Sequence, residues 1–190
     1  MSQRSHASHV LTKLAEKAIA FSLTDAARIA SAEAVIDTVT AASAAPRFAF
    51  VTPVQDIYGH GHAAIWLTGQ TVSPLGAGFA NAMSAAALDL DDGHRASRGH
   101  PGAPVVASVF AEWDRQGADQ PTFDDDVVLR AIAVGYEVGL RVASAKNFYA
   151  RTGFWAGIAA AAAVSILRGL PAAEFANALA IAAETGPHMC

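Results

Sequence analysis

The chain lacks the cysteines and the charge density that several classes of protein need. Its single cysteine is Cys190, so a disulfide within the chain is impossible, and we expect a reducing, cytoplasmic compartment and no thiol-based catalysis. Charged residues make up 16% of the chain and the net charge is -4, so no broad basic surface is available for nucleic acid or an anionic membrane. A local cationic pocket for a small anion remains compatible with this charge balance.

The chain also lacks an apolar run long enough to span a membrane. Its first apolar segment is interrupted by Lys13, Glu16 and Lys17, which is not typical of a signal-peptide core. The most apolar run lies between Arg151 and Arg168 and is shorter than the roughly 18 residues that a spanning helix needs. We therefore predict that this run is buried in protein.

Aromatic residues make up 8% of the chain and apolar residues 53%, so the apolar excess consists of alanine and aliphatic side chains and not of aromatic rings. Alanine is the best helix former, and small side chains suit close helix packing. Apolar residues recur at helical spacing, and no sustained strand alternation is present. We predict an all-α fold that occupies residues 1–190 as a single, partial helical domain.

Local signals place several helix ends. Thr24 is a candidate N-cap, and Ser73-Pro74 offers an N-cap followed by a proline at the first helical position. Thr122 is predicted to cap a long helix, and Gly186 to end the last one. The poor periodicity of residues 47–72 predicts the least regular part of the chain. Close helix contacts are expected at small residues, among them Gly76, Gly78 and Gly157.

Polar and charged residues concentrate in residues 89–100, hereafter the polar loop. Its carboxylates, imidazoles and guanidiniums are Asp89, Asp91, Asp92, His94, Arg95, Arg98 and His100. The first interpretation is structural, with Asp91 and Asp92 capping the next turn. The second is a metal site, which the two permanent positive charges of Arg95 and Arg98 disfavour.

The third interpretation of the polar loop is an acid–base site for a carboxylate substrate. Arginine binds a carboxylate as a forked donor, and His94 or His100 would move a proton near neutral pH.

Two weaker patterns outside the polar loop are predicted to be structural. His60 and His62 lie in a glycine-rich loop without further ligands, and Glu137 and Arg141 stand one helical turn apart as an ion pair.

Several motifs, in order along the chain, resemble the MmgE/PrpD family from about residue 11 to residue 186. The strongest is Ala-Leu-Asp-Leu-Asp-Asp at residues 87–92, followed by His100-Pro101. The other matching segments are Leu67-Thr68-Gly69, Ser73-Pro74, Ala80-Asn81-Ala82, Gly135-Tyr136-Glu137-Val138, Gly169-Leu170 and residues 177–182.

The resemblance implies a fold and a chemistry. The family includes 2-methylcitrate dehydratase, cis-aconitate decarboxylase and iminodisuccinate epimerase. Its members have a large helical domain, a smaller α+β domain and a metal-free active site in the cleft between them. They transfer protons at a carbon beside a carboxylate, with elimination or decarboxylation. By this resemblance Asp89 and His100 match catalytic positions, no cofactor or metal is expected, and a homodimer is expected.

The chain departs from the family pattern at two polar positions. Gly93 stands where the family commonly has threonine, and Ala150 stands where it often has histidine, beside Tyr149 and Arg151. The family's lysine-bearing segments and smaller domain would lie beyond residue 190. We therefore expect the helical front part of a dehydratase-like lyase that acts on a small di- or tricarboxylate and is inactive or very slow alone.

Two functional hypotheses follow. In the first, substrate would be bound by Asp92, His94, Arg95, Arg98 and Arg151. In the alternative, the chain is a non-catalytic helical assembly module that pairs with itself or with a second polypeptide carrying the missing part.

Overall fold

The computed structural model describes residues 3–45, 51–95, 97–117, 124–146 and 153–186. These residues form eight α-helices and one short hairpin, and the predicted all-α class is confirmed. The elements are α1 (Gln3–Ile19), α2 (Asp25–Ala44), α3 (Val51–Tyr58), β1 (Ala63–Ile65), β2 (Gln70–Val72), α4 (Pro74–Ala86), α5 (Gly102–Gly117), α6 (Asp125–Lys146), α7 (Ala156–Leu167) and α8 (Ala172–Thr185). Within the described ranges, no helix combines the length and apolarity needed to cross a membrane.

The predicted helix ends that depend on local chemistry are confirmed. Thr24 Oγ1 accepts a hydrogen bond from the Ala27 amide at 3.2 Å, which caps α2. Ser73 Oγ caps α4 in the same way, with Pro74 in its first turn. Gly186 is the C-cap of α8. The predicted cap at Thr122 lies outside the described residues.

The segment before α4 is more regular than its periodicity predicts. It contains α3 and an antiparallel pair of three-residue strands, in which Ala63 pairs with Val72. The buried Asn81 of α4 fixes the hairpin, because its side chain accepts from the Trp66 amide at 2.9 Å and donates to the Ala64 carbonyl at 3.0 Å. The strands are too short to produce a periodic signal in the sequence.

The main core lies where α5, α6, α7 and α8 pack together, with α1 on one side. Helices α6 and α7 approach closely because α6 has glycine at the contact. A Cβ added at Gly139 would lie 2.7 Å from the Cβ of Ala159, and one added at Gly135 would lie 2.9 Å from the Cβ of Ala163. Such distances leave no room for a side chain, so glycine is required at both positions.

Helices α5 and α7 are also joined by a buried carboxylate. Glu112 is 4% exposed and accepts hydrogen bonds from Arg115, Gln116 and Arg168, at 2.9 Å from Arg168 Nε. Burial alone would raise the pKa of Glu112, but the bonds from the two arginines and Gln116 lower it to about 2. The group is therefore ionised and paired, and it holds α7 against α5.

The polar loop connects the end of α4 to the start of α5. These two helices pack against each other along their lengths, so both ends of the loop are fixed by the same contact. A polar loop held by rigid elements is a frequent location for a functional site.

Candidate functional site

The polar loop contains a tight turn that returns the chain toward its own start. The His94 amide donates to the Gly99 carbonyl at 3.0 Å, and the Arg98 amide donates to the His94 carbonyl at 2.9 Å. Asp89 and Arg98 have φ angles of 56° and 52°, in the left-handed region that non-glycine residues rarely adopt. These two reversals bring His100 back beside Asp89 and Asp91.

The imidazole of His100 contacts two carboxylates through different ring nitrogens. Asp89 Oδ1 lies 2.9 Å from His100 Nε2, and Asp91 Oδ1 lies 3.3 Å from His100 Nδ1. Nδ1 also lies 3.2 Å from the Asp91 carbonyl oxygen in hydrogen-bonding geometry. The two residues that the family resemblance singled out, Asp89 and His100, are thus in direct contact.

The partner of Nδ1 determines where the proton resides on a neutral His100. A backbone carbonyl only accepts hydrogen bonds, so this contact favours the tautomer in which Nδ1 donates and the lone pair of the neutral ring is at Nε2. Partial burial on its own would lower the pKa of His100. The hydrogen bond to the Asp91 carbonyl and the charges of Asp91 and Asp89 outweigh burial and raise the pKa above its ordinary value. In the tautomer with Nδ1 protonated, His100 can accept a proton at Nε2.

Asp91 is a further candidate for a role at His100, although the sequence predicts for it only the capping of a turn. Its side chain is fully buried, whereas the side chain of Asp89 is 85% exposed. Neither carboxylate oxygen of Asp91 has a hydrogen-bond partner among the described residues. Burial raises the pKa of Asp91, partly offset by the nearby His100. The sequence does not reveal which of the adjacent aspartates, Asp91 or Asp92, is directed toward His100, because this depends on the backbone conformation.

Asp92 points to the start of α5 and not to His100. Its Oδ1 accepts a hydrogen bond from the Gly102 amide at 2.8 Å, which satisfies a free donor of the helix N-terminus. Burial raises the pKa of Asp92, and burial together with the Asp92 charge raises that of Tyr136. This is the capping role that the structural interpretation of the loop predicted; substrate binding by Asp92 stays a prediction.

The remaining candidates are surface groups or lie outside the described chain. His94, Arg95 and Arg98 are exposed residues of the turn. Arg151, with Tyr149 and Ala150, lies outside the described residues. A Cβ added at Gly93 would meet nothing within 4 Å, so the space for the family's threonine is open. Carboxylate binding by His94, Arg95, Arg98 and Arg151 stays a prediction.

A metal ion fits this donor set poorly. Within the described ranges, Asp89, Asp91 and His100 offer ligand atoms within 4.8 Å of one another. However, in the tautomer in which Nδ1 donates to the Asp91 carbonyl, an ion would have to bind Nε2 on the side of Asp89. Asp91 lies at the other ring nitrogen, and the Asp89 side chain beside Nε2 is 85% exposed, so the three side chains do not converge on Nε2 as the three protein ligands of a catalytic zinc site do. The geometry favours proton transfer over metal binding.

Comparison with known families gives one result that covers both the fold and the polar loop. The family model of the MmgE/PrpD N-terminal domain matches residues 10–190. No curated protein matches the chain.

Proposed function

Because the chain belongs to the MmgE/PrpD family through its N-terminal domain, we propose that it forms the helical part of a metal-free lyase site. The proposed substrate is a small di- or tricarboxylate, and the proposed reaction is elimination of water by the dehydratase route. The contact of His100 with Asp89 and Asp91 is the observation that carries this proposal.

Elimination of water breaks a C–H bond beside a carboxylate and a C–O bond at the next carbon, and forms a C=C bond. It needs a base for the proton, an acid for the leaving hydroxide and cations against the developing enediolate charge. In the proposed assignment, His100 Nε2 accepts the proton from carbon, and the protonated ring returns it to the leaving hydroxide, which departs as water. The exposed Asp89 carboxylate, 2.9 Å from that nitrogen, stabilises the imidazolium that results.

Arg95 and Arg98 are proposed to hold substrate carboxylates, since guanidinium groups bind them in a bidentate way. The polar loop supplies proton-handling groups but few cations next to the reacting carbon. We therefore expect the 190-residue chain to bind a substrate carboxylate and to turn it over slowly or not at all.

The test uses the purified chain with 2-methylcitrate and with cis-aconitate. Calorimetry should detect weak binding that Arg95→Ala or Arg98→Ala reduces. Arg141→Ala is the control, because Arg141 is an exposed arginine on α6 paired with Glu137. Absence of any binding contradicts the proposed site, and rapid turnover by the chain alone contradicts the expected inactivity.

A second candidate function is the non-catalytic assembly module, with a second copy of this chain as its partner. One face of α4 carries Leu75, Phe79 and Met83 at intervals of four residues, and these side chains are 72%, 44% and 40% exposed. Static light scattering should then show a dimer that Leu75→Glu dissociates. Ile181→Glu is the control, because Ile181 is 63% exposed on α8. A monomer at high concentration contradicts this candidate.

A further inference from the structure

Asp91 is placed unusually for an aspartate of an exposed loop. Its carboxylate is fully buried, and neither of its oxygens has a hydrogen bond among the described residues. A buried polar group without a partner costs free energy, and an ionised one costs more. The imidazole of His100 can offset this cost, because its Nδ1 lies 3.3 Å from Asp91 Oδ1.

Asp91 contacts the same ring nitrogen twice. Its carbonyl oxygen and its carboxylate oxygen lie 3.2 Å and 3.3 Å from His100 Nδ1. Both groups favour a proton on Nδ1, one as a hydrogen-bond acceptor and the other as a negative charge. A histidine held at one nitrogen presents the other nitrogen in a fixed direction.

We infer that Asp91 is a positioning residue that keeps Nδ1 of His100 protonated and thereby makes Nε2 the nitrogen that exchanges protons with a substrate. Asp89 is the second aspartate whose side chain contacts His100 in the described ranges, and it lies at Nε2 with its side chain 85% exposed. The two aspartates thus differ in role, although both are within salt-bridge distance of one ring. This inference rests on the proposed function, because exchange of a proton at Nε2 needs a substrate. The protonation of each ring nitrogen of His100 is nevertheless measurable without any substrate.

The first test is NMR of the free chain labelled with ¹⁵N at its histidine rings. The chain has seven histidines, so a His100→Gln sample identifies the resonances of His100. Above the pKa of His100, we expect the Nδ1 signal of a protonated nitrogen and the Nε2 signal of an unprotonated one. The opposite tautomer overturns the inference, and this result needs no variant at position 91.

The second test compares two matched variants, Asp91→Asn and Asp89→Asn, in a pH titration of His100. Each removes one carboxylate charge from one ring nitrogen. Asp91→Asn should lower the pKa of His100 more than Asp89→Asn does, because Asp91 is buried and Asp89 is exposed. The effect of Asp89→Asn should shrink in 1 M salt, whereas that of Asp91→Asn should persist, since salt screens exposed charges most.

An unchanged pKa of His100 in Asp91→Asn overturns the inference, because it would mean that the Asp91 carboxyl is neutral. The proposed function has a separate failure, which is the absence of carboxylate binding by the unmodified chain. The titrations are made without ligand, so the two failures are distinguishable.

Discussion

The Gly102 amide donates to Asp92 Oδ1 at 2.8 Å, so the start of α5 is bonded to the residue that follows Asp91 in the polar loop. Adjacent aspartates thereby serve different purposes. Asp92 anchors the loop to the helix, and Asp91, facing the other way, contacts His100. The position of the imidazole therefore depends on an ordinary helix-capping interaction.

Gly102→Ala should destabilise the chain. The added Cβ would lie 2.4 Å from Thr38 Oγ1 and 2.6 Å from Asp92 Oδ1, so buried neighbours would have to move. Overpacking of this kind costs about 1–3 kcal/mol in the free energy of unfolding. Gly93→Ala is the control, because its Cβ would have open space. Urea unfolding measures both variants, and equal midpoints would contradict the prediction.

Glu112→Gln should lower the free energy of unfolding at pH 7 by roughly 3 kcal/mol, since the pKa of Glu112 falls from an ordinary 4.5 to about 2 on folding. A carboxyl whose folded pKa is lowered contributes its full stability above pH 4.5, and this contribution is lost as the pH falls toward 2. The variant should therefore lose less stability than the natural chain over that interval. Chemical unfolding at a series of pH values measures the difference.

Glu137→Gln is the matched control for Glu112. It also removes one carboxylate from a glutamate–arginine pair, but Glu137 and its partner Arg141 are both exposed. An exposed pair contributes only about 0.3–0.5 kcal/mol. If the two variants lose equal stability, the buried network does not have the role assigned to it.

Gly139→Ala should destabilise the contact of α6 with α7, whereas Gly157→Ala should stabilise α7. Alanine in a helix interior is favoured over glycine by about 1 kcal/mol, and by less in the first turn, where Gly157 lies. At Gly157 nothing opposes this gain, because an added Cβ meets no atom within 4 Å. At Gly139 the Cβ would stand 2.7 Å from that of Ala159. Shifts in melting temperature of opposite sign are expected, and shifts of the same sign would contradict the packing argument.

Asn81→Ala should cost roughly 2 kcal/mol or more, because it leaves the Trp66 amide and the Ala64 carbonyl without their partner. Asn177→Ala serves as the control, since Asn177 is exposed on α8. Hydrogen exchange should locate the loss in the hairpin. Unchanged protection of the Trp66 amide would refute the anchoring role of Asn81.

The sequence predicts the features that depend on interactions between residues close together in the chain. The caps at Thr24 and Ser73 were predictable because a side chain and its amide partner lie three residues apart. Gly76 and Gly157 show the limit. An added Cβ at Gly76 would meet Tyr58 at 2.9 Å, but at Gly157 it would meet open space. The close contact expected at Gly157 is therefore wrong, because periodicity identifies a helix and not the neighbour that each residue faces.

The same limit applies to the candidate site. The family resemblance singled out Asp89 and His100 as matching catalytic positions, and the structure places them 2.9 Å apart, a contact that the sequence did not predict. The burial of Asp91 could not be predicted from the sequence. It depends on the direction of the backbone, which has a left-handed φ at Asp89, and residue types do not reveal this direction.

The left-handed backbone at Arg98 would set folding against the proposed carboxylate binding at one position. An L-residue with φ near 52° carries a strain of about 1–2 kcal/mol that glycine largely avoids. Selection for stability alone in the laboratory would favour glycine there, and selection for carboxylate capture would favour arginine. The outcome of such a competition would indicate which of the two demands shapes this turn.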